Sequence, residues 1–156
     1  MSPQSNPPWV DAILDWRWTW LIARTALVGA YLLGGLTKLF DFPSAMAEQE
    51  HFGLRPGWFW AAATIAAELI GPALIVWGRW VWLGAGMLGV FTGLAAVLAN
   101  NFWALRGPAR FASINAFFEH IGLIAGFVMA ALIAERAGRE AAERAARIPS
   151  SDDGAS

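Results

Sequence analysis

The stretch "GWFWAAATIAAELIGPALIVWG", residues 57–78, decides the fold class. A hydrocarbon core of ~30 Å takes ~20 helical residues to cross, and this run is long enough, with one charged residue, Glu68, near its middle. Three more runs have the same character. They cover about 18–39 ("WTWLIARTALVGAYLLGGLTKL"), 80–102 and 114–134. The sequence therefore predicts an all-α, polytopic membrane protein with a four-helix bundle.

Composition agrees. Hydrophobic residues make up 57% of the 156, and only 15% are charged, against ~25% in soluble domains. Nine of the ten tryptophans (all but Trp9) fall near the ends of the runs, as an aromatic belt at the two membrane interfaces requires. The formal net charge of −1 excludes the concentrated basic face that a nucleic-acid partner needs. With no cysteine, the chain has no disulfide, no thiol redox centre and no cysteine-ligated metal.

The spans sit between a polar lead, residues 1–16, with no signal-peptide layout, and a segment 135–156 outside the membrane domain 17–134. Residues 41–57 read as a polar connection between the first two spans. In the last segment Glu135/Arg139, Glu140/Arg144 and Glu143/Arg147 stand at i,i+4 spacing, which predicts an exposed helical extension stopped near Pro149 and a disordered tail. Arg17, Arg79, Arg136, Arg139, Arg144 and Arg147 fall on one side of the membrane, and Arg55, Arg106 and Arg110 on the other. Both termini are therefore expected in the cytoplasm.

On a helical wheel the polar and small residues of each span gather on one side. The stripes are Arg24, Tyr31, Gly35 and Lys38; Ala61, Thr64, Glu68, Gly71 and Pro72; Gly86, Gly89, Gly93, Ala96 and Asn100; and Asn115, Glu119, Gly122, Gly126 and Ala130. Small residues let membrane helices approach, and charged ones avoid lipid by facing inward, so both demands select the interior face. Lys38, Asn100, Asn115, Glu119 and His120 are placed near the non-cytoplasmic end, lining a polar cavity with Glu68 at its floor. Arg24 lies deeper, as an ion-pair partner of Glu68 or as a cation whose stem lets it reach the interface. Pro72 deprives the Glu68 carbonyl of its helical partner and adds a polar atom at that level.

"GGLTKLFDF" (34–42), "HFGLRPGWFW" (51–60), "AAELIGPALIVWGRW" (66–80), "NNFW" (100–103) and "NAFFEHIGLIAGF" (115–127), in this order, resemble the corresponding stretches of the DoxX family. The resemblance covers roughly residues 25–130. It implies a small four-helix protein of the bacterial inner membrane, often assigned as an oxidoreductase, with some relatives linked to quinone reduction and distant ones to cargo reception or chaperoning. Many members carry a histidine just before the Phe-Trp pair, where this chain has Asn100 and Asn101.

Two readings of the polar residues follow. In one, the chain is the membrane subunit of a quinone-linked oxidoreductase system, and Lys38, Glu68, Glu119 and His120 bind a quinone headgroup or pass protons. In the other, it is a non-catalytic accessory, assembly or scaffold subunit that docks another membrane protein or a second copy, and the interior charges are structural. A small transporter or channel subunit is a weaker third reading. No intrinsic cofactor or metal is expected, because His120 is the only histidine within a span and no cluster of ligands has zinc spacing.

Overall fold

The computed structural model describes residues 6–147; the expected N-terminal lead up to residue 5, the stop at Pro149 and the tail lie outside them. The described residues form six helices: α1 (Pro8–Leu14), α2 (Thr19–Phe40), α3 (Phe42–His51), α4 (Gly57–Trp77), α5 (Val81–Ala99) and α6 (Gly107–Ala146). Helices α2, α4, α5 and α6 are long and apolar enough to cross a membrane. At ~1.5 Å per residue, α6 is ~60 Å long, about twice the hydrocarbon thickness, so span and extension form one unbroken helix. In the extension Glu135 and Arg139 pair at 3.0 Å.

The segment 41–56 differs from the polar connection read in the sequence, because most of it is α3. The Asp41 carboxylate accepts from the Ser44 backbone N–H at 3.2 Å and a proline occupies the first turn, so the N-terminus of α3 is well specified. Helix α3 packs on α4 with Ala45 and Gln49 buried. A second unexpected helix, α1, lies within the lead and exposes Trp9, Ile13 and Leu14.

Helix α4 is central, touching α2, α3 and α5. Its approach to α5 is set by Gly71 and Gly84. A Cβ at Gly84 would stand 2.6 Å from the Gly71 carbonyl oxygen, and one at Gly71 would stand 2.8 Å from Leu88 Cγ. At the far end α4 stops at Gly78, whose left-handed φ of 80° closes the turn into α5. Val28, Ile75, Leu88 and Phe127 fill the core between the spans, and Tyr31 meets Phe127 edge-on at 5.6 Å.

The wheel stripes of α2 and α4 face inward as read: Tyr31, Gly35, Ala61, Thr64, Glu68, Gly71 and Pro72 are all buried. Those of α5 and α6 are right only at Ala96, Asn100 and Ala130, which are buried as read, and need correction elsewhere. The buried face of α5 carries Val81, Gly84, Ala85, Leu88, Thr92, Ala96 and Asn100, and Gly86 and Gly89 have nothing within contact range of an added Cβ. Asn115, Glu119 and Gly122 of α6 are exposed, whereas Phe127 and Ala130 are buried. The cause is that α6 lies broadly against α5 and only narrowly against α2.

Gly84→Ala is expected to lower stability by ~1–3 kcal/mol, the range for forcing a methyl into a packed site, while Gly86→Ala leaves it unchanged. Unfolding of the two purified variants in detergent checks both, and equal midpoints would remove Gly71–Gly84 as the contact that sets the α4–α5 distance.

Candidate functional site

Glu68 lies midway along α4, so its carboxylate cannot reach water by extending along its own helix. It crosses to α2 instead. A Cβ at Gly34 would stand 3.4 Å from both carboxylate oxygens, and one at Gly35 would stand 3.0 Å from Glu68 Cβ. Two small residues thus let the carboxylate lie against the α2 backbone. One turn further on, Lys38 closes over it, with Nζ 3.1 Å from Oε1 and 3.2 Å from Oε2. The Glu68 side chain is 7% exposed and that of Lys38 19%, so the ammonium group is the accessible partner.

Beside the pair, an open groove of about 460 Å³ runs along the flank of α2 and α3, lined by Leu33, Gly34, Lys38, Asp41, Ala45 and Glu48 among others. Its walls are mainly apolar, and its polar groups sit together where α2 ends and α3 begins. This is the concavity at the ion pair. It lies on the outer flank and is not the cavity between the spans that the wheels anticipated.

The remaining candidates are spread out. Arg24 does not pair with Glu68: its guanidinium stacks on Trp20 at 4.4 Å and its Nη1 occupies the space a Cβ would need at Gly78, at the opposite end of α4. Asn100 caps the C-terminus of α5 and is buried, with no hydrogen-bond partner for Nδ2. Asn115 and Glu119 are exposed on α6. His120 is half-buried, with Nδ1 2.6 Å from the Ala116 carbonyl oxygen. A carbonyl only accepts, so Nδ1 carries the proton and Nε2 is free to accept.

Two polar contributions went unseen in the sequence. Tyr31 and Thr92 are joined at 2.7 Å, and Thr92 Oγ1 donates to the Leu88 carbonyl at 2.6 Å; with its one proton so used, Thr92 accepts from the Tyr31 hydroxyl. The spacing of Thr92 from Asn100, eight residues, was the available clue to the true α5 face. Glu48 and Asp41 enter the groove through α3, which the Asp-Phe-Pro-Ser start could have announced as a helix.

A bundle of four long apolar helices, with a charged pair between two of them, defines a multi-pass α-helical protein embedded in a lipid bilayer. The DoxX family model matches residues 19–101, more than half of the chain, and the protein belongs to that family. No curated protein and no solved structure matches it.

Removing Lys38 leaves the buried Glu68 carboxylate uncompensated, which costs ~3–5 kcal/mol, whereas removing Glu68 leaves the more accessible ammonium and costs less. Lys38→Met and Glu68→Gln are each expected to destabilise the protein clearly, and the double variant to recover much of the loss. A double-mutant cycle on unfolding in detergent measures the coupling; additive losses would mean that the two side chains do not stabilise one another.

Proposed function

We propose that the protein is the membrane subunit of a quinone-linked oxidoreductase system in the bacterial inner membrane, with both termini cytoplasmic, and that the Lys38–Glu68 groove receives the quinone headgroup. The observation that carries this reading is a partly exposed ammonium group, held by a buried carboxylate, at the wall of a mostly apolar groove. The groove volume is in the range of small-molecule sites.

The chemistry suits such a ligand. Lys38 has three N–H donors; those turned to Glu68 fix the ammonium, and one remains for a carbonyl oxygen in the groove. On this reading Glu68, behind Lys38, balances the ammonium charge, and Glu48, exposed in the groove lining, faces water. A quinone supplies an acceptor of two electrons and two protons; the electrons come from a partner subunit.

The accessory reading draws on a different observation, the exposed Glu119 in the apolar part of α6. A carboxylate facing lipid is costly, and a neighbouring membrane protein or a second copy would cover it.

Photolabelling of native membranes with an azido-quinone separates the two. Label is expected in residues 30–48, competed by unlabelled quinone and lost in Lys38→Met and in Leu33→Trp, which fills the groove and leaves the ion pair in place. Label that ignores both substitutions, together with loss of a co-purifying polypeptide in Glu119→Ala, would replace the quinone reading by the accessory one.

A further inference from the structure

The end of the bundle opposite the groove carries a second concentration of charge. Arg24 projects from the second turn of α2, and its guanidinium lies between the Trp20 ring, 4.4 Å away, and the backbone of Gly78 in the α4–α5 turn. The next residue in that turn, Arg79, stacks over Trp77 at 5.5 Å, and Arg17, just before α2, stacks over Trp18 at 4.6 Å. Three arginines, each over an indole near it in sequence, thus belong to the end of the bundle where α2 begins and α4 ends, and Arg24 against Gly78 joins the two segments.

Among the described residues no carboxylate lies within ion-pair distance of Arg17, Arg24 or Arg79, although Asp11 lies in the preceding α1 and Asp15 caps it. The Nε of Arg24 is buried without a hydrogen-bond partner. The one buried carboxylate that could have met Arg24, Glu68, is bound by Lys38. Placement at the C-terminus of α4 gives Arg24 some compensation from the helix dipole, but only a fraction of a charge. A cation five residues inside an apolar span otherwise stands unpaired at the edge of the hydrocarbon.

We propose that this arginine–tryptophan cluster is a binding site for the phosphate headgroup of an anionic phospholipid. Arginine presents planar donors that match phosphate oxygens, and contact with an indole face restrains each guanidinium. Trp18, Trp77 and Trp80 are exposed, so they sit at headgroup depth, where an indole is apolar on one side and wet on the other. Arg24 reaches up from within the span, and Arg17 and Arg79 reach in from its rim. The acyl chains then lie along the lipid-facing sides of α2 and α4, which free phosphate cannot exploit. The site is independent of the groove and of any quinone.

The test uses the full chain in bilayers. Native mass spectrometry from nanodiscs of phosphatidylcholine mixed with phosphatidylglycerol is expected to retain phosphatidylglycerol selectively. Each arginine near an anionic surface contributes about a fivefold gain in lipid affinity, so Arg24→Gln and Arg79→Gln should each lower retention by about that factor. Arg79 lies in the turn, outside the spans, and its variant keeps the test valid if Arg24→Gln does not fold. Phosphatidylglycerol, but not inorganic phosphate, should raise the unfolding temperature of delipidated protein. Equal retention of the two lipids, unchanged retention in both variants, or equal stabilisation by inorganic phosphate would overturn the proposal.

Discussion

The pairing of Lys38 with Glu68 constrains the rest of the bundle. A carboxylate at the middle of a membrane span has neither water nor a free end of its own helix within reach, and it is tolerated only against a partner with matching charge. Lys38 is that partner, and its reach fixes which turn of α2 lies beside which turn of α4. Gly34 and Gly35 are then required, because the carboxylate and the first carbons of Glu68 occupy the space that their side chains would fill. Helix α3 follows from the same geometry. It starts immediately after α2 and folds back on α4, placing Asp41 and Glu48 around the ammonium end of the pair.

Contact on the other side of α4 is of a different kind. Gly71 meets Gly84 through backbone atoms, with no charge involved, and Pro72 beside it interrupts the helical hydrogen bonding at the Glu68 carbonyl. In lipid, where the hydrophobic effect does not drive one helix onto another, close backbone approach and polar contact are the available sources of affinity. Helix α4 uses close approach towards α5 and an ion pair towards α2. Between them the Tyr31–Thr92 hydrogen bond ties α2 to α5, and Phe127 seats α6 edge-on against Tyr31.

How much of this was legible depends on what each helix offered a wheel. In spans α2 and α4 the charged residues Lys38 and Glu68 do mark the inner face, and Tyr31 and Glu68 are buried there. Span α5 has only Thr92 and Asn100 as polar marks, and its abundance of glycine pulled the reading about a quarter turn aside, onto Gly86 and Gly89. In α6 the rule that charge points inward failed at Glu119, because the inner face is set by Phe127 and Ala130 against α5 and α2. The candidate site was half legible: its ion pair was among the options read from the two spans, but its groove depends on α3, whose helix was read as a connection.

The spans read in the sequence contain four charged side chains, Arg24, Lys38, Glu68 and Glu119, two of each sign. The structure forms one pair from the four. Lys38 lies nearer to Glu68 along the bundle than Arg24 does and takes both carboxylate oxygens, so Arg24 turns to the opposite end, against Gly78. Glu119 is on the outer face of a different helix, where α6 meets only α5 broadly. Arg24 and Glu119 belong to opposite ends of the membrane layer and cannot neutralise each other. A balance of charge among the four therefore does not become pairing in the fold: Arg24 and Glu119 are left without each other. The surroundings of the two differ, and the lipid and accessory proposals each start from one of them. Indoles and further arginines surround the cation, a setting for a lipid phosphate, whereas an asparagine one turn away and an open glycine adjoin the anion, a setting for another helix.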